Sequence, residues 1–179
     1  MANSNPLAMA EREGRLEGYA AVKNQVDRQG DVIADGAFGN LTEFVRDGFV
    51  SVAHRHQRLP IGFIEEARED DHGLWVAMRF HQTPAGQAAY TVAKERLAAG
   101  KTVGLSIGYV PRTWRWETLG SQRVRRLTQI ELKEFSLVTV PAMPLAQATG
   151  VKAETDDLAP RWPKTSVDEL NPARWTLRS

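Results

Sequence analysis

Cysteine is absent from the 179-residue chain, and that absence narrows the chemistry open to it. Disulfide frameworks, thiolate metal sites and cysteine nucleophiles are all excluded. An excess of either charge is also lacking, because 23 Lys and Arg residues nearly balance 22 Asp and Glu residues. We therefore expect no overall attraction to nucleic acid or to an anionic membrane, and any basic surface must be local.

Long apolar runs are missing as well. No stretch is long and apolar enough to cross a bilayer, and the first 15 residues lack the basic and apolar regions of a secretory signal. These absences predict a cytoplasmic protein without membrane contact. With 42% hydrophobic and 25% charged residues, the composition is typical of one folded domain.

Short β-branched and aromatic segments dominate the chain, and two segments have helical signatures. Asn40 and Glu43 resemble a capping box that opens a short helix over residues 41–46, and Thr83 followed by Pro84 begins a longer helix that stops at Gly100. The predicted strands are 16–22, 49–53, 61–67, 74–80, 102–110, 122–129 and 130–140. This pattern favours a β-rich α+β fold, a closed or nearly closed antiparallel β-barrel of about seven strands with surrounding helices.

The ends of the chain differ from its middle in composition. Residues 151–179 carry three prolines among mixed charges with little periodicity, which predicts a flexible C-terminal tail. Residues 1–15 are expected to be a flexible N-terminus. The folded domain is therefore predicted over residues 16–150.

Ser106 lies in a strand where side chains alternate between two faces, so it shares one face with Gly104 and Gly108. The two glycines would leave a bare surface and give a substrate room around a nucleophilic hydroxyl. Taken alone, the pattern fits better with a small-residue face packed under a helix, where Ser106 is merely hydrogen-bonded.

His54 follows the apolar run 49–53 and could transfer protons near neutral pH from a rigid backbone. A partly exposed structural histidine is the alternative. His54 and His56 could also bind a metal, but His72 and His81 lie in separate segments without a recognisable ligand spacing. No metal site is therefore predicted.

Glu134 shares a predicted strand face with Ile130, Leu132, Ser136 and Val138, where an unpaired charge would be costly. The carboxylate should therefore have a partner. An arginine in a structural ion pair is the favoured partner, and the Nδ1 proton of a histidine general base is the other.

Four segments carry a family resemblance in both their residues and their order. They are 27–32 (DRQGDV) with 36–38 (GAF), His54 through 60–62 (PIG), 104–109 (GLSIGY) and 134–142 (EFSLVTVPA). Together, over about residues 18–144, the chain resembles the prohead proteases of tailed bacteriophages, a family similar in fold to the herpesvirus maturation protease.

The resemblance implies a serine endopeptidase that needs no cofactor or metal. Ser106 would be the nucleophile, His54 the general base and then acid, and Glu134 the group that orients the imidazole. His54 is preferred to His56 because it adjoins the apolar run and precedes Pro60 by six residues, as in the family pattern. The sequence does not identify the oxyanion donors.

The resemblance also implies partners and a place of action. The substrates would be the phage major capsid protein and its scaffold segment, cut inside the assembling prohead in the host bacterial cytoplasm. Self-association is left open. Residues 16–150 would be the protease domain.

A second function, in a different class, rests on residues 111–129. Five arginines there are balanced by a single acidic residue, Glu117, and Trp114 and Trp116 lie among them in the sequence. Such a segment could serve a non-catalytic β-barrel module that binds the capsid or nucleic acid. A solvated strand pair, in which arginine stems cover the tryptophan faces, explains the composition at least as well, so nucleic acid is not expected as a partner.

Overall fold

The computed structural model describes residues 14–152. The two expected flexible segments, 1–15 and 151–179, lie almost entirely outside these residues. The described chain begins its first strand at Arg15 and ends its last at Lys152.

The fold is β-rich α+β, as predicted, with eight strands and two helices in the described chain. Strands β1 to β8 are, in order, Arg15–Val22, Asp31–Ile33, Phe49–Val52, Gly62–Glu69, Gly73–Phe80, Gly104–Leu119, Gln122–Val138 and Ala148–Lys152. Helices α1 and α2 are Leu41–Asp47 and Pro84–Ala98. The segments predicted as two strands, 122–129 and 130–140, form the single 17-residue strand β7. The short strands β2 and β8 were not predicted.

The sheet has the order β2-β7-β3-β4-β5-β1-β8, with β6 paired to β7 alongside this path. Between residues 14 and 152 no ladder joins β2 to β8, so the expected closed barrel is not confirmed. The start of β6 nevertheless contacts the segment before β8. The Leu105 N–H donates to the Ala146 carbonyl at 2.9 Å, and the Ala148 N–H donates to the Val103 carbonyl at 2.9 Å.

Strand β7 is long enough to pair with two strands along one edge. Both β2 and β3 run parallel to it, with Asp31 opposite Arg125 and Val50 opposite Phe135. The purely antiparallel arrangement predicted from the sequence is therefore wrong at these two pairings. The physical reason is that the chain passes along the edge of β7 in one direction, first through β2 and then through β3, without reversing between them.

Asn40 fills the gap between β2 and β3 on this edge. Its Nδ2 donates to the Leu132 carbonyl at 3.0 Å, and the Leu132 N–H donates to its Oδ1 at 2.9 Å. Because the carboxamide is used on β7, it makes no side-chain cap on α1. The helix was predicted correctly, but the capping box was wrong.

Helix α2 begins as predicted, with the Thr83 hydroxyl accepting from the Gly86 N–H and Pro84 in the first turn. Neither helix of the described part is long and apolar enough to cross a membrane. The core packs between the sheet and the helices. Its largest fully buried apolar side chains include Phe44, Phe80, Phe135, Leu16, Leu74, Met78, Leu105, Leu127 and Ile130.

Candidate active site

Strand β7 is the centre of the site, with β6 on one edge and β3 on the other. Ser106 of β6 and Ser51 of β3 both lie opposite Ser136 of β7, and Gly108 lies opposite Glu134. The chain leaves β3 just before His54. Three segments far apart in sequence therefore meet at neighbouring positions of the sheet, as the family resemblance implied.

The backbone after β3 turns sharply in a conformation that is unfavourable for side chains. Ala53 and His54 have φ angles of 52° and 55°, in the left-handed region that costs about 1–2 kcal/mol for a residue other than glycine. Two hydrogen bonds to β7 hold this turn. The Ala53 N–H donates to the Leu137 carbonyl at 3.0 Å, and the His54 N–H donates to Ser136 Oγ at 3.1 Å.

This turn places the His54 imidazole between the other two predicted residues. Its Nε2 lies 3.0 Å from Ser106 Oγ, and its Nδ1 lies 2.6 Å from Glu134 Oε1. Ser136 Oγ donates to the other carboxylate oxygen, Glu134 Oε2, at 2.7 Å. When Nδ1 carries the ring proton it donates to the carboxylate, and the Nε2 lone pair is free to accept the serine hydroxyl proton.

The three groups differ in their exposure to solvent, and His54 is the most exposed of them. Glu134 is fully buried, Ser106 is 9% exposed, and the His54 side chain is 38% exposed. The hydrogen bond that His54 donates to Glu134 raises the pKa of His54 above its ordinary value, against the opposing effect of burial. The buried carboxylate thus has the histidine partner, and the arginine ion pair favoured from the sequence is wrong.

His56 is placed differently from His54. Its Nε2 lies 3.6 Å from Glu134 Oε1, its side chain is 54% exposed, and its ring packs edge-on against Phe49. Ser106 makes its described side-chain hydrogen bond to His54. Within residues 14–152, His54, His56 and Glu134 are the group whose donor atoms could hold a metal, all lying within 4.8 Å of one another.

Position 108 needs glycine because the Glu134 carboxylate lies directly against its backbone. A Cβ added there would lie 2.2 Å from Glu134 Oε1, and one added at Gly104 would lie 2.7 Å from the Val138 carbonyl. The expectation that these glycines leave room for substrate is corrected, because the space they leave is filled by the protein's own chain.

A cavity of about 610 Å³ borders Ser106 and His54 and reaches the loop at residues 27–31. Asp31, which is 3% exposed, accepts from the Tyr109 hydroxyl at 2.8 Å and from Arg125 Nε at 2.7 Å. Burial raises the pKa of Tyr109, and the hydrogen bond to Asp31 adds to it. Burial also raises the pKa of Asp27, which faces the same cavity. The early motif therefore forms one wall of this cavity.

The arginines of residues 111–129 are matched largely within the chain. Arg112 pairs with Glu131, Arg126 Nε lies 2.7 Å from Glu117 Oε1, and Arg125 binds Asp31. The Arg123 guanidinium lies 4.5 Å above the Trp116 ring. These contacts agree with the interpretation in which arginine stems cover tryptophan faces.

The contributions of three residues to the site were missed from the sequence. Ser136 had been placed on the same strand face as Glu134, but its hydrogen bonds to Glu134 and to the His54 backbone were not anticipated. Asp31 and Tyr109 lie in two of the matched motifs, yet nothing in their spacing showed that they would meet across the cavity. The alternation of side chains along the strand could have revealed Ser136, because it places Ser136 on the same face as Glu134.

Comparison with known proteins places this geometry in a family. The model of the caudovirus prohead serine protease family matches residues 3–160. The prohead protease of Enterobacteria phage HK97 is 31% identical over 161 residues, which cover 87% of this chain and 70% of that protein.

Among solved structures, the protease of KSHV, in complex with a hexapeptide phosphonate inhibitor, is similar with a TM-score of 0.44 and 12% identity. The alignment covers 75% of this chain and 63%, less than two thirds, of that chain. The family match covers most of the sequence and includes all three predicted site residues. The chain therefore belongs to the caudovirus prohead serine proteases.

Proposed function

We propose that this protein cuts the phage major capsid protein and its scaffold segment, with Ser106 as nucleophile, His54 as general base and Glu134 as orienting acid. The observation that carries the proposal is the continuous line of hydrogen bonds from Ser106 Oγ through both ring nitrogens of His54 to the buried Glu134. A nucleophile, a base within 3.0 Å of it and a third group that orients the base are the parts that serine proteases need.

In the first half of the reaction, Ser106 Oγ attacks the carbonyl carbon of the scissile peptide bond. The hydroxyl proton passes to His54 Nε2, and Glu134 stabilises the imidazolium through its contact with Nδ1. The tetrahedral intermediate then collapses, His54 returns the proton to the leaving nitrogen, and the amine product departs. An ester between Ser106 and the new carboxyl end remains.

In the second half, water replaces the departed amine. His54 accepts a proton from the water as its oxygen attacks the ester, and then gives that proton to Ser106 Oγ as the carboxylic product leaves. The cavity of about 610 Å³ beside Ser106 supplies space for the substrate chain. The buried Asp31 and the partly exposed Tyr109 and Arg125 form one wall of it.

The place of action and the domain layout follow from the same proposal. Family membership supports action inside the assembling prohead, in the cytoplasm of the host bacterium. Residues 16–150 form the protease domain and contain every residue to which the mechanism gives a role.

Cleavage of purified capsid and scaffold proteins, followed by mass spectrometry of the products, tests the proposal. Ser106→Ala and His54→Ala should each lower the rate by several orders of magnitude, and the double variant should be little worse, because the groups act as one unit. His56→Ala is the matched control and should retain most of the activity. A folded Ser106→Ala protein that cleaves normally would overturn the nucleophile, and an inactive His56→Ala beside an active His54→Ala would reverse the two histidines.

A further inference from the structure

His56 has no part in the proposed peptide cleavage, yet it lies beside the group that orients the base. Its Nε2 is 3.6 Å from Glu134 Oε1, while His54 Nδ1 approaches the same oxygen at 2.6 Å. Two imidazoles and one carboxylate oxygen therefore converge on one point. That donor set is common to protein zinc sites that keep one position open for water.

The spacing of these donors is close to what a zinc ion requires. Metal–ligand distances of about 2.0–2.2 Å in a tetrahedron separate the ligand atoms by about 3.3–3.6 Å. The separation of 3.6 Å between His56 and Glu134 already fits, and all three atoms lie within 4.8 Å of one another. His54 Nδ1 must move away from Glu134 Oε1 by less than an ångström, roughly, to admit the ion.

The site is open to solvent on the histidine side and anionic on the buried side. The His54 and His56 side chains are 38% and 54% exposed, and both line the cavity. Glu134 is fully buried, so its negative charge is poorly screened by water. An ion can enter from the cavity and meet a carboxylate whose oxygen already lies next to both rings.

We propose that His54, His56 and Glu134 form an inhibitory site for Zn²⁺ in the resting protease. This inference rests on the proposed function, because inhibition requires that His54 be the base. Zinc bound to Nδ1 takes the lone pair at that nitrogen, so the ring proton must reside on Nε2. An Nε2–H cannot accept the proton of Ser106, and the bound ion also withdraws Glu134 from the imidazole.

Direct binding is the first test, since it does not depend on catalysis. Isothermal titration calorimetry with Zn²⁺ on the full chain should give one site in the wild type and an unchanged site in Ser106→Ala. His56→Ala and His56→Gln should each weaken binding about tenfold or more, because a ligand is lost. His81→Ala is the matched control, since it removes a histidine outside the group and should bind as the wild type does.

Inhibition is the second test. Zn²⁺ should stop cleavage by the wild type and a chelator should restore it, whereas His56→Ala should remain active at that zinc concentration. Mg²⁺, which prefers oxygen ligands, should have no effect. Wild-type binding in both His56 variants, or no binding by the wild type, would overturn the site; zinc that binds through His56 without slowing cleavage would overturn the inhibition. An active Ser106→Ala would refute the proposed nucleophile, while calorimetry would still decide the zinc site.

Discussion

Strands β6 and β7 pair along almost their whole length, but their two ends have become different environments. At the proximal end, residues 104–108 face 134–138, and β3 covers the other edge of β7. At the distal end, residues 114–119 face 122–127, with only the short β2 alongside. Glu134 and Ser136 are fully buried proximally, whereas Trp114 and Trp116 are about half exposed distally.

Both ends are rich in polar contacts, but the loss of a contact costs more at the proximal end than at the distal end. The distal ion pair of Arg126 with Glu117 is near the surface, where such pairs contribute little to stability. The proximal contacts of Glu134 lie where water cannot replace a lost partner, so breaking one leaves a buried charge unsatisfied. We infer that substitutions at the proximal end disturb chemistry, whereas those at the distal end, apart from Arg125 in the cavity wall, disturb only local stability.

Among substitutions that keep both Ser106 and His54, the largest effect is expected from Glu134→Gln, which keeps the shape of the proximal end and removes its charge. The rate should fall about 10⁴-fold, because a neutral amide neither fixes the imidazole tautomer nor stabilises its charged form. Glu134 holds the pKa of His54 above its ordinary value, and His54 must be neutral to act, so wild-type activity is lost as the pH falls through that raised pKa. Without the charge the pKa falls, and the acid limb of kcat/KM should move to lower pH.

A pH profile of kcat/KM for both proteins measures this shift, since that ratio reports the free enzyme. An acid limb that stays in place would mean that Glu134 does not set the pKa of His54. Glu117→Gln is the matched control at the distal end, where the same change should leave the limb and the rate unaltered.

The next largest effect is expected from Gly108→Ala, which crowds the proximal end without altering any reacting group. The added Cβ would lie 2.2 Å from Glu134 Oε1, so the carboxylate must shift and take the His54 ring with it. A displacement of about 1 Å costs about 10²-fold in rate. Peptide cleavage measured beside thermal unfolding distinguishes this from loss of the fold.

Gly150→Ala is the control for that substitution, because a Cβ there meets nothing within 4 Å. It should match the wild type in both measurements. A Gly108→Ala protein with the wild-type rate would show that the carboxylate can move without consequence, and the tight fit at the proximal end would then have no catalytic meaning.

The sequence predicted the proximal end better than the route by which His54 reaches it. Strand alternation placed Glu134 on a largely apolar face, and the family resemblance brought Ser106, His54 and Glu134 together. The left-handed turn at Ala53 and His54 could not be predicted, because neither residue favours it and contacts with Leu137 and Ser136 impose it.

Local sequence patterns could not predict the parallel strand pairings or the function of Asn40, for a similar reason. Nothing in residues 31–33 or 49–52 indicates which edge of which strand they will join, since that depends on the length of β7. Asn40 has the chemistry of a helix cap, and only the gap between β2 and β3 diverts its carboxamide to Leu132. Local propensity was right about both helices and most of the strands, and wrong where a tertiary partner competed.

The smallest effect is expected from Trp116→Ala at the distal end. Its ring is 56% exposed and carries the Arg123 guanidinium at 4.5 Å, a contact that contributes about 0.5–1 kcal/mol at an exposed site. The free energy of unfolding in urea should fall by about that amount. In a double-mutant cycle with Arg123→Ala, most of the loss should appear as coupling between the two residues. Peptide cleavage should stay within about twofold of the wild type, because a small change at an exposed side chain far from the reacting groups does not reach them.

A loss of cleavage comparable to that of Gly108→Ala would contradict the distinction between the two ends. It would make the distal end part of the substrate site. Unchanged cleavage of a short peptide together with weakened binding of the intact capsid protein would instead assign the distal end to substrate docking. Its exposed tryptophans, which β3 does not cover, would then contact the capsid protein directly.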